Sequence, residues 1–220
     1  MRNGAWGLAS VGFFLILSWP PDPAWGGDAP SPDPQPPAVR SLSEADVVRF
    51  RKGLKIKDKA RAFDQNAARA ADAAERGRLE KRAAREFERA IGQFRQAVRL
   101  NPSFHQAFAE LGYALWKRGD PDSAIKAYER ALLLEPTYPQ TIAYRAETWL
   151  ALERLEEAKQ DYVRLFLNDP SLAESLLAVM KDWLARHRDA PGKIDPVDVR
   201  EFSRWVAGRE KIARERPAAC

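Results

Sequence analysis

Residues 105–138 read HQAFAELGYALWKRGDPDSAIKAYERALLLEPTY, and the pattern of this stretch recurs over residues 139–172. Pro102, Pro136 and Pro170 are equally spaced at the same interval, and each directly follows a polar residue. An internal period of about 34 residues is typical of helix pairs that stack on one another. The chain is therefore expected to contain a repeated helical unit.

Three further columns keep the same period and give it a structural meaning. Each unit has a small residue, an aromatic residue four positions later and a small or apolar residue three positions after that: Ala90, Phe94 and Ala97, then Ala124, Tyr128 and Ala131, then Ala158, Tyr162 and Leu165. These spacings fall on one helix face, where small residues allow close approach and the ring fills the space beside them. Because a proline cannot continue a helix, each of the three prolines is expected to end one helix and begin a loop.

The stretch quoted above resembles a tetratricopeptide repeat throughout. The matching positions are Phe108, Leu111, Gly112, Leu115, Gly119, Ala124, Tyr128, Ala131 and Pro136. Residues 139–172 follow the same pattern through Ile142, Ala146, Trp149, Ala158, Tyr162, Leu165 and Pro170. They depart from it at Arg145, where a leucine is usual in the family, and at Glu153, which replaces the turn glycine. The resemblance implies an all-α fold, a short right-handed α-solenoid of helix-turn-helix repeats.

The repeat array is expected to span residues 86–172, with a degenerate first repeat over 71–104. Stepping back one period from the large residues of the next repeat reaches Ala74 and Gly77, which lack the expected bulk. After the array, residues 173–216 are expected to form C-terminal capping helices, because the terminal units of a solenoid must face water.

Residues 41–85 form a basic, alanine-rich segment before the regular repeats. Alanine, arginine and glutamate favour helix, but they offer little apolar surface to bury. We therefore expect a long, partly exposed helix that is capped by Ser43 and broken or weakened near Gly77.

The turn inside the better repeat follows from its own residues. Gly119 can adopt the left-handed conformation that ends a helix, Asp120 can cap the next helix, and Pro121 suits its first turn. Gly112 lies in the middle of a helix, where glycine costs about 1 kcal/mol relative to alanine. We expect a neighbouring helix to cross at Gly112.

The first residues of the chain have the composition of a signal peptide. Arg2 precedes an apolar stretch over 5–19, and Ala24-Trp25-Gly26 provides small residues for cleavage after Gly26. Residues 1–26 are therefore expected to direct export to the periplasm or outside the cell, as in bacterial-type exported proteins. An uncleaved N-terminal anchor facing the periplasm is the alternative. Residues 27–40 are rich in proline and predict an extended linker.

The sequence predicts no catalytic residue, no metal site and no cofactor. The two histidines, His105 and His187, are far apart, and the single cysteine, Cys220, is near neither. No zinc-ligand spacing, phosphate-binding glycine loop or nucleophile motif occurs. A lone cysteine excludes an intramolecular disulfide; at the chain end Cys220 either lies in a frayed tail or pairs with another chain.

Charge is distributed unevenly along the chain. Residues 40–100 contain 17 Lys or Arg against 9 Asp or Glu, whereas residues 101–172 contain 8 against 11. The basic part is either a solvated helix or a surface for an anionic partner such as membrane lipid or polysaccharide. Nucleic acid is not expected as a partner, because the export signal removes the chain from it.

Tetratricopeptide arrays bind peptides or protein helices in a concave groove that is lined by the first helix of each repeat. The resemblance therefore implies a protein or peptide partner and a groove lined by Gln106, Ala109, Tyr113, Trp116, Lys117, Gln140, Ala143, Tyr144 and Glu147. Family members that grip chaperone C-termini carry Lys and Asn at several of these positions. Here Ala109, Tyr113, Ala143 and Glu147 stand instead, so that partnership is not expected. Tyr113, Trp116 and Tyr144 form either an aromatic floor of the groove or part of the core.

These observations favour a non-catalytic scaffold or adaptor of the cell envelope that binds a peptide or a helix. Two alternatives remain from the sequence. One is a membrane- or polyanion-associated structural factor that acts through the basic N-terminal helix, and the other is an accessory subunit of an envelope enzyme complex.

Overall fold

The computed structural model describes residues 41–187 and 194–215. These residues form eight α-helices and no strand: α1 (Glu44–Arg69), α2 (Ala73–Leu100), α3 (His105–Arg118), α4 (Pro121–Leu134), α5 (Pro139–Ala151), α6 (Leu155–Asn168), α7 (Pro170–His187) and α8 (Pro196–Glu215). The all-α prediction is confirmed. The expected signal peptide and proline-rich linker, and Cys220, lie outside the described residues.

The helices pack in consecutive hairpins that stack. Helix α1 packs on α2, α3 on α4 and α5 on α6, and each hairpin also contacts the next through α2 with α3, α4 with α5 and α6 with α7. The first helices of successive hairpins, α1, α3, α5 and α7, lie side by side, and α8 packs on α7. This is the expected solenoid of helix pairs. In the described ranges, no helix has both the length and the apolar character needed to cross a membrane.

The α3–α4 turn forms as its residues predict. Gly119 ends α3 in the left-handed region, with φ 92° and ψ 23°. The Asp120 side chain accepts a hydrogen bond from the backbone N–H of Ser123 at 3.1 Å, and Pro121 is the first residue of α4. As expected, Gly119 ends α3, Asp120 caps α4 and Pro121 begins α4.

Gly112 lies where α3 and α4 cross. Tyr128 of α4 is fully buried, and a Cβ atom added at Gly112 would lie 2.5 Å from Tyr128 Cε1. Real Cβ atoms do not approach a ring so closely, so the crossing distance depends on the missing side chain. The packing role expected for Gly112 is confirmed.

The same contact occurs in the first hairpin, between α1 and α2. A Cβ atom at Gly53 would lie 2.5 Å from Phe94 Cε1, and Phe94 is fully buried. The stretch of chain from Gly53 to Phe94 is much longer than the stretch from Gly112 to Tyr128. The first hairpin is therefore a repeat unit that an insertion lengthens between its two packing positions.

This lengthening overturns the expected degenerate repeat over 71–104. The partner of α2 is α1, and the residues reached by stepping back one period, Ala74 and Gly77, lie in the first turns of α2 rather than at packed positions. A fixed period cannot find the true partner, because it ignores the inserted residues.

The helix break expected near Gly77 is also wrong. Gly77 is inside α2, and the chain turns earlier, where Ala70 has extended backbone and the Asp72 side chain accepts a hydrogen bond from the N–H of Glu75 at 2.6 Å. One glycine costs a helix only about 1 kcal/mol, and the surrounding alanines and arginines are strong helix formers. An aspartate that caps a new helix is the stronger signal here.

The residues before the three prolines share one conformation. Asn101, Glu135 and Asp169 have φ values of −134°, −138° and −145°, and each donates its backbone N–H to the last turn of the preceding helix. Extended backbone is what a following proline imposes. The third proline differs from the expectation, because Pro170 is the first residue of α7 and no loop follows α6. Asp169 accepts a hydrogen bond from the N–H of Leu172 at 3.0 Å, so it caps α7.

Arg145, which replaces the usual leucine, forms a two-bond ion pair with Asp161 of α6. The Nε–Oδ2 and Nη2–Oδ1 distances are 2.8 and 2.6 Å, and the side chains are 16% and 2% exposed. One period earlier, the same two positions hold Leu111 and Ala127, and both are buried. An ion pair therefore occupies the position of an apolar contact in the preceding repeat.

We expect Arg145→Leu and Asp161→Ala each to destabilise the fold by about 3 kcal/mol, because each removes the two hydrogen bonds of a buried charge. After Arg145→Leu, Asp161 keeps only the longer contact with Arg164, at 3.8 Å. The double variant recreates the Leu and Ala pair of the preceding repeat. It is expected to unfold within about 1 kcal/mol of the wild type. Urea unfolding followed by circular dichroism gives all four values of the cycle. Additive losses in the double variant would contradict this account.

Glu153 occupies the position of Gly119 in the next repeat and adopts the same left-handed backbone, with φ 61°. It is the one non-glycine residue with positive φ in the described part of the chain. A left-handed conformation costs a side-chain-bearing residue about 1–2 kcal/mol. The repeat geometry therefore imposes a turn that the local residue disfavours.

Glu153→Gly is expected to stabilise the protein by about 1 kcal/mol, since it removes this strain and part of the gain is offset by the freer unfolded chain. The corresponding rise in melting temperature is about 2–4 °C. Gly119→Ala is the matched opposite change and should lower the melting temperature. If both variants move it in the same direction, strain at this turn is not the cause.

Candidate partner-binding surface of the first helices

The residues predicted to line the groove lie on two neighbouring helices, α3 and α5. We call them the inner face: Gln106, Ala109, Tyr113, Trp116 and Lys117 on α3, and Gln140, Ala143, Tyr144 and Glu147 on α5. Six are half-buried and available to a partner: Gln106, Trp116, Lys117, Gln140, Tyr144 and Glu147. The other three, Ala109, Tyr113 and Ala143, are buried.

The three aromatic residues come together as a cluster. The Tyr113 ring lies 4.7 Å from that of Tyr144 and 6.1 Å from that of Trp116, measured between centroids. Tyr113 is only 8% exposed, and burial raises the pKa of its hydroxyl to about 12. Tyr113 therefore belongs mainly to the core, whereas Trp116 and Tyr144 offer aromatic surface.

Helix α1 contributes cations to this region. The repeat period of the sequence did not predict them. Lys57 Nζ lies 5.7 Å and the Arg61 guanidinium 6.0 Å from the Tyr113 ring centroid. Lys57 is itself buried and forms an ion pair with Glu110 at 2.8 Å. The signal in the sequence that could have predicted these cations is the pair of Gly53 and Phe94. It corresponds to Gly112 and Tyr128 if residues are inserted between the two positions, and it makes α1 the first helix of the unit before α3.

Ion pairs across the first helices tie α1 to α3. Lys117 Nζ bonds Asp64 Oδ2 at 2.7 Å, in addition to the pair between Lys57 and Glu110. Each of these two ion pairs joins one residue of α1 with one residue of α3. Lys57 and Lys117, on the side of the inner face next to α1, are therefore already ion-paired within the protein.

Glu147 differs from these paired residues. Burial raises the pKa of its carboxyl, and the charge of Lys117 only partly opposes that effect. No described residue donates a hydrogen bond to its carboxylate. A half-buried charge without a donor is less favourable than a fully exposed one, because it has lost part of its hydration without gaining a hydrogen bond.

The histidines do not form a site. His105 packs edge-on against Tyr138, with ring centroids 4.9 Å apart, and burial lowers its pKa. His187 stacks on Trp183 at the end of α7, with centroids 3.8 Å apart. In the described ranges, no group of three or more His, Cys, Asp or Glu side chains is placed to hold a metal ion.

Two models of the tetratricopeptide repeat family match the chain, one over residues 79–140 and the other over 115–180. The chain is a tetratricopeptide repeat protein. Helix α1 precedes the matched residues, in agreement with the insertion that separates it from its partner. No curated protein has significant sequence similarity to the chain.

Solved structures also resemble the chain, at low identity. The second repeat domain of human RPAP3, determined with an HSP70 peptide, is 22% identical with a TM-score of 0.42 and covers 59% of this chain and 95% of that one. MamA is 15% identical with a TM-score of 0.43, over 81% and 99% of the two chains. A tetratricopeptide repeat protein from Parabacteroides merdae is 11% identical with a TM-score of 0.36, over 78% and 77%.

The raised pKa of Glu147 predicts a specific pH dependence. A carboxyl whose pKa is raised by folding contributes stability at low pH and loses it as the pH rises through the folded-state value. Glu147→Gln cannot ionise, so it should be stabilised relative to the wild type at about pH 7 and lose that advantage at about pH 4. Thermal unfolding at the two pH values measures the difference.

Glu129→Gln on α4 is a matched control, because Glu129 is an exposed glutamate of a second helix. Its effect on stability should be small at both pH values. If Glu147→Gln is stabilised more at low pH than at neutral pH, the ionised carboxylate of Glu147 does not destabilise the folded protein.

Proposed function

We propose that this protein is a non-catalytic scaffold or adaptor of the cell envelope, and that it binds a short peptide or a single helix on its inner face. Membership of the tetratricopeptide repeat family supports protein interaction as the general activity, because stacked helical repeats form extended concave binding surfaces. Two regular repeats and one lengthened unit make a short array. A short array favours a small binding element over an extended one.

The environment of Glu147 is the main reason to propose that the partner binds on the inner face. It holds a carboxylate without a donor on the inner face, where the charges nearer α1 are ion-paired. Groups kept at a cost to stability are found preferentially at functional sites. A partner that donates hydrogen bonds to Glu147 would remove this cost on binding.

The neighbouring rings indicate what else the partner provides. Trp116 and Tyr144 are half-buried and flank the buried Tyr113 ring. Rigid aromatic side chains of this kind anchor partners in well-packed interfaces. The expected binding element therefore combines an apolar or cationic side chain, which packs on these rings, with donors for Glu147.

Selection of displayed random peptides on the immobilised protein tests this proposal and needs no identified partner. Peptides that enrich are synthesised, and their affinities are measured by calorimetry. Glu147→Gln should weaken binding about tenfold, because a hydrogen bond to a charged group contributes about 1.5–3 kcal/mol. Tyr144→Ala should weaken it at least about tenfold.

Two controls separate binding from folding. Tyr144→Phe keeps the ring and should retain most of the affinity, and Glu129→Gln on the second helix of the repeat should change it less than about twofold. Melting temperatures of all variants show whether each remains folded. Peptides that bind Glu147→Gln and Tyr144→Ala as tightly as the wild type would place the partner surface elsewhere.

Export is the remaining part of the proposal, and it rests on residues 1–26. Intact-mass measurement of the protein from its own cells distinguishes cleavage after Gly26 from a retained apolar segment, and fractionation locates the chain. Recovery of the uncleaved chain from the cytoplasm would refute the envelope role while leaving the peptide-binding test unaffected.

A further inference from the structure

The lengthened first hairpin carries a continuous basic surface, distinct from the inner face. We call it the basic face and define it by exposed cations: Lys55 and Lys59 on α1, and Arg78, Lys81, Arg82, Arg85 and Arg89 on α2. The buried residues of this part of α2, Ala83, Phe87 and Ala90, fall on the opposite side of the helix. The cations therefore point away from the core.

Contacts between the two helices join these cations into one surface. Lys59 Nζ lies 2.9 Å from Glu86 Oε1, and Arg89 Nη1 lies 2.9 Å from Glu86 Oε2. Lys59 and Arg82 both lie over the ring of Phe63, at 5.9 and 5.7 Å from its centroid. Glu86 thus neutralises one of the two cations that it touches, and Glu75 lines the same cleft as Arg78. Seven cations against these two carboxylates leave the surface with a net positive charge.

Five of the seven cations have no carboxylate partner within the described residues, namely Lys55, Lys81 and three arginines. Arg78, Arg82 and Arg85 form no ion pair there; Arg82 is over Phe63, and Arg85 Nε donates to the carbonyl of Lys81. Surface arginines spaced one helix turn apart repel one another and gain nothing from this arrangement in the free protein. An external anionic partner would offset that repulsion.

We propose that the basic face binds the surface of a bilayer that contains anionic phospholipids. Residues 78–89 extend over about 16 Å of helix, so the charges form a broad row and do not converge on a single phosphate. The partly buried Phe63 ring lies among them and adds apolar surface, and this combination is typical of helices that bind at a membrane interface. The apolar residues 5–19 bring the chain to a membrane whether they act as a signal peptide or as an anchor.

Vesicle binding of the full chain tests the proposal. Vesicles of phosphatidylcholine alone are compared with vesicles in which part of the lipid is phosphatidylglycerol, so that any charge-independent contribution of the apolar segment cancels. Arg78→Gln, Arg82→Gln and Arg85→Gln are combined in one variant. Since each basic residue near an anionic surface contributes roughly a fivefold factor, the variant should lose on the order of a hundredfold in affinity for anionic vesicles and nothing for neutral ones.

A matched variant removes three cations elsewhere. Arg186→Gln, Arg204→Gln and Lys211→Gln change exposed residues of α7 and α8 and lower the net charge by the same amount. This control should keep nearly full affinity for anionic vesicles, and added salt should weaken the wild type more steeply than the first variant, which keeps four of the seven cations. Glutamine is a good helix former, and unchanged circular dichroism verifies that both variants fold.

Equal losses in the two variants would show that net charge alone attracts the chain, which would overturn the assignment to the basic face. Undiminished binding by the first variant would overturn it as well. Tighter binding to a soluble polyanion such as dextran sulfate or duplex DNA than to anionic vesicles would replace the membrane with a polymer as the partner.

Discussion

The first two hairpins depend on one contact, in which an aromatic ring of the second helix packs against a glycine on the first helix. Tyr128 against Gly112 and Phe94 against Gly53 are the two instances, and each leaves no room for a Cβ atom. The contact sets how closely the two helices of a hairpin approach and where they cross. Since each hairpin packs on the next, the same contact determines the spacing of the first helices and hence the inner face.

The next hairpin departs from this arrangement, because buried Ala146 stands at the position of Gly112, opposite the position of Tyr128, which holds the buried Tyr162. The next repeat replaces a buried leucine and alanine by the ion pair of Arg145 and Asp161, and it makes its turn with Glu153 in a conformation that favours glycine. The left-handed backbone of Glu153 costs local stability and the ion pair is expected to add little over the apolar pair, yet the hairpin keeps its shape. Neighbouring units impose that shape, since the energy of a solenoid is shared between units and their interfaces.

Stability and binding make opposite demands on the inner face. The ion pairs of Lys57 with Glu110 and Lys117 with Asp64 hold α1 against α3. Glu147 has no such partner, and burial disfavours its charge. A partner surface must leave some groups unsatisfied in the free protein, because a fully satisfied surface gains nothing from association. The unpartnered arginines of the basic face follow the same logic at a second surface.

The helical class, the two regular repeats, the Gly119 turn and the close approach at Gly112 could all be predicted from the chain, because each depends on residues near one another in sequence. The same approach failed for the first hairpin. The packing partner of Phe94 is Gly53, whereas the fixed period points to the first turns of α2 near Gly77. Only the folded structure brought α1 to α3, buried Tyr113 beneath Lys57 and left Glu147 without a donor. These features depend on how elements distant in sequence pack against one another. Helix propensity and a fixed period describe only neighbouring residues, so they cannot reveal the inserted residues of the first hairpin.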